Sequence, residues 1–377
     1  MPNYYKLSDI CDYVTSRTTN IENYISTENM LPNKGGVCTP SNVPSGAAIE
    51  YKVGDILISN IRPYFQKIWQ ADCNGACSAD VLCFRANDKV DSKYLYYLLS
   101  QQLFFDYVMS GAKGCKMPRG DKKQIMQWQI SLPPMAEQRR IAGILGAIDD
   151  KIENNRRINT NLELQAQALY KQWFVDNRSD NWEEKPLSEI VFFQEGPGIR
   201  NWQYVEKKGV RFINIRCIND GDVNVQNANM ISEDEACGKY AHFLLEPLDI
   251  VMSCSGTLGR YAIIRQEHLP LCLNTSVIRF RPAQCIEDYS FVYGYLSSAE
   301  FLNKQEEMAC GSVQANFGPT HLKQIKIKVP PKDYRMKYNN VVMPIINTML
   351  KNRSEINMLS SLRDTLLPKL MNGEIKL

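Results

Sequence analysis

The sequence predicts an α+β protein: two duplicated globular modules joined by two long antiparallel coiled-coil helices. Three observations predict it. "QWQISLPP" (Gln127 to Pro134) returns as "QIKIKVPP" (Gln324 to Pro331), 197 positions later. Short alternating apolar segments such as "GDILIS" and "VIRFR" have strand character, while "SKYLYYLLSQQLFFDYVM" has the pattern of one packed helix. After each double proline an apolar seam runs for several heptads, which fits a coiled coil better than a lone surface helix.

The repeat extends upstream of the prolines. "KLSDI" (Lys6 to Ile10) matches "KPLSEI" (Lys185 to Ile190), "GDILIS" (Gly54 to Ser59) matches "LDIVMS" (Leu248 to Ser253), and "SADVLCFRA" (Ser78 to Ala86) matches "NTSVIRFRP" (Asn274 to Pro282). "YLYYLLSQQLFF" (Tyr94 to Phe105) matches "FVYGYLSSAEFL" (Phe291 to Leu302). A period this long marks a duplication and lies far outside the roughly 20 to 50 residues of a solenoid. The expected organisation is module 1 over residues 1–132, a central helix over 133–176, module 2 over 177–329 and a C-terminal helix over 330–377.

On the central helix the seam is Ile141, Leu145, Ile148, Ile152, Asn155, Asn159, Leu162, Ala166, Leu169 and Trp173. At about 1.5 Å per residue such a helix spans roughly 58 Å, or about 17 base pairs of duplex. The second seam is Tyr338, Val342, Ile345, Met349, Asn352, Ile356, Leu359, Leu366 and Leu370, with Arg363 intruding and Leu362 beside it. Two seams of equal length in one chain are natural partners. Asn155 and Asn352 are equivalent, and in an antiparallel pair they can meet and fix register. Pro344 falls where the first helix has Ala147, so a kink or restart is expected there.

With 377 residues, 44% of them hydrophobic, the chain can bury a substantial core. It has no charged-then-apolar leader and no apolar run of about 18 residues, so a soluble, cytoplasmic protein is expected, with no membrane partner. The 12 cysteines include no CxxC pair, and the tightest group, Cys73, Cys77 and Cys83, fits no common zinc spacing. No metal site is expected. A net charge of +3 decides nothing about a polyanionic partner; local clustering must.

Catalytic signatures are missing. There is no GxxxxGK[ST] loop, no GxGxxG after a strand, and no N-P-P-Y tetrapeptide, because Met135 and Lys332 follow the two double prolines. His242, His268 and His321 lie in no metal-like or nucleophile-like spacing. The E-x-K of "WEEK" (Trp182 to Lys185) has no upstream acidic strand and reads as a solvated charge run.

Binding remains. "KGCKMPRGDKK" sets Lys113, Lys116, Arg119, Lys122 and Lys123 among glycines, and "SNIRPYFQK" adds Arg62, Tyr64 and Lys67 after a strand. Glycine lets a loop approach a phosphate backbone, lysine and arginine release counterions, and arginine can bridge a guanine edge. The matching places in module 2 are "SCSGTLGR", with Ser253, Ser255, Thr257 and Arg260, and "CGSVQANFG", where Gln314 and Asn316 can read adenine edges. "RNWQYVEKKGVRFINIR" contributes Arg211 and Arg216. One basic loop alone is usually just surface. Recurrence in equivalent loops of two copies favours double-stranded DNA.

These residues carry a resemblance. A module, then P-P-x-x-E-Q-x-x-I opening a long helix (Pro133, Pro134, Glu137, Gln138, Ile141), then a second module and a helix ending "LRDTLLPKLMNGEI" (Leu362 to Ile375), resembles the specificity subunit of a type I restriction-modification system. "SCSGTLGR", "NTSVIRFRP" and "MPRGDKKQI" are similar to segments of that family's target recognition domains. The resemblance covers essentially the whole chain. It implies two domains that each read half of an asymmetric bipartite DNA site, helices that set the unread spacer, and docking of two modification subunits and, through them, restriction subunits. It also implies no catalysis and no cofactor on this chain, with S-adenosylmethionine, ATP and Mg acting on the partners. One departure stands out: the second double proline is followed by "KDYRMKY", so the second helix start looks degenerate and its contacts less secure.

The residues also leave open a non-DNA scaffold, in which a coiled coil spaces two protein- or glycan-binding modules. Salt-dependent DNA affinity separates the two readings.

Overall fold

The computed structural model describes residues 4–219, 221–309 and 316–377. The chain divides into two compact units, one formed by Met1–Glu153 with Asn357–Leu377, the other by Asn154–Ile356. These units cut across the linear order expected from the sequence, because each takes one module together with parts of both long helices.

In the first unit the main sheet is four antiparallel strands in the order Cys11–Tyr13, Val81–Ala86, Ile56–Ser59, Ile68–Gln70. A second sheet joins Arg17–Thr18, Ala48–Tyr51 and Gly75–Cys77, and the strands Tyr4–Lys6 and Gln129–Ser131 pair at the base. The second unit repeats the main sheet strand for strand: Val191–Glu195, Val277–Pro282, Ile250–Ser253, Tyr261–Ile263. It also repeats the basal pair, as Glu183–Pro186 with Lys326–Val329. It differs in carrying a further four-stranded sheet and the small hairpin of Ile218–Asn219 with Asp222–Val223.

An ion pair is duplicated with the sheet. Arg85 reaches Asp55 at 2.6 Å, and Arg281 reaches Asp249 at 2.6 Å. Each carboxylate also accepts a backbone N–H three residues upstream, from Lys52 and Glu246 respectively, at 2.8 Å. The aspartates are almost fully buried. Burial of a carboxylate is tolerated here because charge and hydrogen bonds are both answered.

The expected single packed helix is two in each copy, Ser92–Leu99 with Gln102–Ser110 and Tyr289–Leu296 with Ala299–Ala309. The break has a local cause. Ser100 turns its hydroxyl onto the carbonyl of Tyr96 at 2.6 Å, and Ser297 does the same to Tyr293 at 2.9 Å, so a side chain competes for carbonyls at the helix end.

The central helix runs over Met135–Tyr170 and continues as a π-helical turn over Lys171–Asp176; the C-terminal helix is Lys332–Met371. In the second unit they run antiparallel. Asn155 meets Glu355, Asn159 meets Met349 and Asn352, and Trp173 packs on Tyr334 and Tyr338. In the first unit Asp149 accepts from Arg363 at 2.9 Å, again with one index rising as the other falls.

Two expectations about the helices are corrected. Asn155 and Asn352 do not pair with each other: Asn352 donates to Asn159 Oδ1 at 2.9 Å, while Asn155 donates to Glu355 Oε2 at 2.8 Å. Antiparallel helices match residues by a constant sum of positions, and that sum sets Asn352 opposite Asn159. The C-terminal helix also does not restart at Pro344. Residue 340, whose carbonyl loses its donor, is exposed, so water can serve it, and Thr348 donates to the Pro344 carbonyl at 2.8 Å.

The seam residues do more than join helix to helix. Ile141, Leu145, Leu367 and Leu370 belong to the core of the first unit with Phe84, Leu98 and Phe104. Ala166, Tyr170, Phe174, Tyr338, Val342 and Ile346 belong to that of the second with Phe280 and Phe291. Of the remaining seam positions, Ile152 and Met349 are buried, whereas Ile148, Leu162, Leu169, Trp173, Ile345, Ile356, Leu359 and Leu366 are half-buried. The full burial of Ile346 and Leu367 beside half-buried Ile345 and Leu366 shows the stripe drifting off a strict heptad. A straight helix at 3.6 residues per turn, packed on both a helix and a module, produces that drift.

The departure after the second double proline proves to be a substitution of means. Gln138, buried, accepts from the Asp91 N–H at 2.9 Å and donates to the carbonyls of Lys89 and Pro133 at 3.2 and 3.0 Å. At the equivalent place Arg335 donates to the Asp288 carboxylate at 2.7 and 3.2 Å and to the Pro330 carbonyl at 3.0 Å. Both side chains clamp a helix start to its module.

Candidate nucleic-acid interface

In the first unit two loops, one leaving the main sheet and one leaving a helix, are stitched together. Asn60–Lys67 follows the strand Ile56–Ser59; Gly111–Gly120 follows the helix Gln102–Ser110. Isolated bridges join Ile61 to Arg119 and Lys113 to Arg119, and the Arg62 N–H donates to the Pro118 carbonyl at 2.8 Å. Gly120 sits at the crossing. A Cβ there would stand 2.8 Å from Val108 Cγ1 and 2.9 Å from the Asn60 side-chain Oδ1, so any larger residue would push these packed side chains aside.

Charge collects on this face. Lys113, Lys116, Arg119, Lys122 and Lys123 are all exposed. Asp121 caps the short helix Lys122–Ile125. Its contact with Lys113 at 3.1 Å, together with two backbone N–H groups, holds its carboxyl below the usual carboxylate range. Arg119 lies 3.2 Å from Asp80, which orients the guanidinium without burying it. Arg62 is half-buried in the left-handed region, at φ 51°. Tyr64 is exposed. Lys67 stands apart from the others: its ammonium donates to the Thr27 carbonyl at 2.6 Å and burial pushes its pKa down, so it ties the loop to the body of the module.

The second unit builds the same construction with other residues. The turn after Ile250–Ser253 carries Gly256 and Gly259 at φ 71° and 76°, and a bridge joins Ser255 to Asn316. That is the counterpart of the Ile61–Arg119 bridge. Thr257 and Arg260 are exposed, and the Arg260 guanidinium reaches Asn219 Oδ1 at 3.4 Å, which brings the paired strands Ile218–Asn219 and Asp222–Val223 to the loop. Arg211 is exposed on the strand Gly209–Phe212 of the further sheet and Arg216 in the turn Ile215–Cys217, Ser255 is half-buried, and Gln314 lies outside the described residues. Ser253 faces inward instead: fully buried, it donates to the Thr257 carbonyl at 2.7 Å and accepts from the Arg260 N–H at 3.0 Å. It shapes the loop from within.

Sequence reading missed several residues that complete these faces. Asp80, Asn60 and Asn219 carry no basic signal, and their parts emerge only when distant segments meet. Phe65 and Trp202 were legible as aromatics inside the basic runs, and both are exposed, Trp202 at 81%. Among the described residues no group of three or more His, Cys, Asp or Glu side chains is arranged to hold a metal ion, and no helix is long and apolar enough to cross a membrane.

Comparison with known proteins follows the duplication. The family described as type I restriction modification DNA specificity domain matches residues 3–164 and again residues 179–354. The chain is 25% identical to the type I restriction enzyme MjaIX specificity subunit of Methanocaldococcus jannaschii, over 77% of this chain and 70% of that protein. It is 24% identical to the HindI specificity subunit of Haemophilus influenzae, over 93% and 94%. The crystal structure of a type I restriction-modification S subunit from M. genitalium superposes with a TM-score of 0.58 at 18% identity, covering 98% of this chain and 96% of that one, which establishes a shared fold.

Proposed function

The chain belongs to the type I restriction-modification DNA specificity family, and from that premise we propose that each of its two modules binds one half of a bipartite duplex DNA site. The paired helices set the spacer that is not read, and they dock two modification subunits and, through them, restriction subunits. The chain supplies address and scaffold without catalysis. S-adenosylmethionine, ATP and Mg act on the partners.

One observation carries the reading. Both copies bring an exposed arginine into a pair of loops stitched beyond the end of the same sheet strand, through Ile61–Arg119 in one and Ser255–Asn316 in the other. A construction kept through duplication while its contact residues diverge suits two readers of different sequences. Docking on the helices is supported by apolar side chains left on their surfaces: Ile144, Met358 and Leu362 in the first unit, Ile158, Leu164 and Val341 in the second.

The test is single-molecule sequencing of genomic methylation in cells carrying the chain with its modification subunit, against cells lacking the chain. A bipartite motif with a fixed gap and methyladenine in both halves, present only with the chain, is the expected result. If no motif depends on the chain, the non-DNA scaffold takes its place. Within a positive result, Arg119→Ala should weaken binding to duplexes intact in one half-site by about 1 to 3 kcal/mol if it reads a base. An equal loss on every sequence would make Arg119 a phosphate contact.

A further inference from the structure

Two exposed aromatic side chains of the first unit are consecutive and share a turn. Tyr64 and Phe65 lie in the 3-10 turn Pro63–Phe65, with ring centroids 4.6 Å apart and planes at 54°. Tyr64 is 49% exposed and Phe65 38%. Single exposed aromatics are ordinary on a surface. What distinguishes this pair is how firmly its backbone is held.

Both flanking residues, Arg62 and Gln66, sit in the left-handed region at φ 51° and 50°, which non-glycine residues avoid. Separate segments hold them there. The Arg62 N–H donates to Pro118, the Asn33 N–H to the Phe65 carbonyl at 2.8 Å, and the Lys34 N–H to the Gln66 carbonyl at 3.0 Å. Inside the turn the Gln66 N–H donates to Pro63 at 2.8 Å, and the Gln66 side chain pairs with that of Gln102. The next residue, Lys67, anchors on Thr27. All this order presents two half-exposed rings to solvent, beside the exposed Arg119 and the basic loop bridged to Ile61. Folding alone would favour burying them.

We propose that Tyr64 and Phe65 form a rigid wedge that enters the base stack at one step of the half-site read by the first module. The wedge opens and kinks that step. This rests on the reading of the chain as a DNA specificity subunit. Apolar side chains on a firm support unstack a base step and bend the duplex, while adjacent cations hold the phosphates on either side. The gain for methylation is direct: a base must leave the stack to be modified, and a step already opened lowers that cost. The matching turn of the second module, "CSGTLGR" (Cys254 to Arg260), carries no aromatic residue, so the deformation belongs to one half-site only.

The experiment uses the full chain with its modification subunits and a duplex carrying the motif that methylation sequencing returns. A single abasic position is moved step by step through both half-sites, and binding is measured by competition against the intact duplex. A wedge binds tighter where the stack is already broken, so the native chain should prefer one abasic position in the first module's half-site by about tenfold. Tyr64→Ala/Phe65→Ala should lose that preference and bind the intact duplex about tenfold more weakly. Tyr64→Leu/Phe65→Leu, which keeps apolar bulk, should retain part of it. Equal or weaker binding at every abasic position by the native chain, or an unchanged preference in the alanine variant, overturns the wedge. Failure of the native chain to bind the intact duplex would instead overturn the DNA-recognition reading itself, and shows before any abasic duplex is compared.

Discussion

Gln138 and Arg335 do one task with different chemistry, and their removal should cost different amounts. Gln138→Ala leaves the Asp91 N–H and two carbonyls without that partner, a loss of about 1 to 3 kcal/mol. Arg335→Ala strands the Asp288 carboxylate, which is buried, and should cost about 3 to 5 kcal/mol. Urea unfolding of the two variants checks the order. The proline-to-glutamine pattern was legible in the first copy and looked broken in the second, because a pattern counts identities while a buried clamp counts donors and acceptors. Asp222 supplies a pH test. Burial opposes its charge, but His268, at 3.4 Å, and Arg265, at 2.7 Å, outweigh it and hold the carboxyl well below the usual range. A depressed folded pKa stabilises above the unfolded value of about 3.9, and that contribution drains away as pH falls through about 4 and below. Native protein should lose melting temperature on acidification more steeply than Asp222→Asn; parallel curves would remove Asp222 from the account.

At the scale of elements, each helix meets a module through a differently shaped joint. Gly294 lies under the Tyr170 ring, and a Cβ there would come within 2.3 Å of Cδ2. In the other copy Tyr97 stands at the glycine's place and Leu367 at the tyrosine's, within one core. Bulk has changed sides. Gly294→Ala should therefore destabilise the chain by about 1 to 3 kcal/mol, because an aromatic ring packed in a core cannot step aside. Gly146→Ala meets only the flexible end of Lys93 and should be neutral or gain up to about 1 kcal/mol of helix propensity. Thermal melts of the pair settle the contrast. The long helices were legible because period and length survive in one dimension. Their true pairing was not, since Asn352 finds Asn159 through a packing offset that no repeat alignment contains.

At the scale of the whole chain, duplication was legible because the same strand order follows from the same apolar segments. The candidate faces were legible as basic loops, and less so as constructions: the inward turn of Ser253 and the anchoring of Lys67 are set by partners far away in sequence. The compact units were not legible either. Linear reading drew boundaries near the prolines, whereas the first unit needs residues 357–377 to complete its core, with Leu367 and Leu370 buried beside Ile141 and Leu145. A chain stopped after Ile356 should keep the cooperative unfolding of the second unit and lose that of the first, as hydrogen exchange would report. On the ribosome this reverses the usual order of N-terminal folding first. The unit translated first must wait, its apolar joint open to chaperones, until residues 357–377 have been made, while the later unit can close ahead of it.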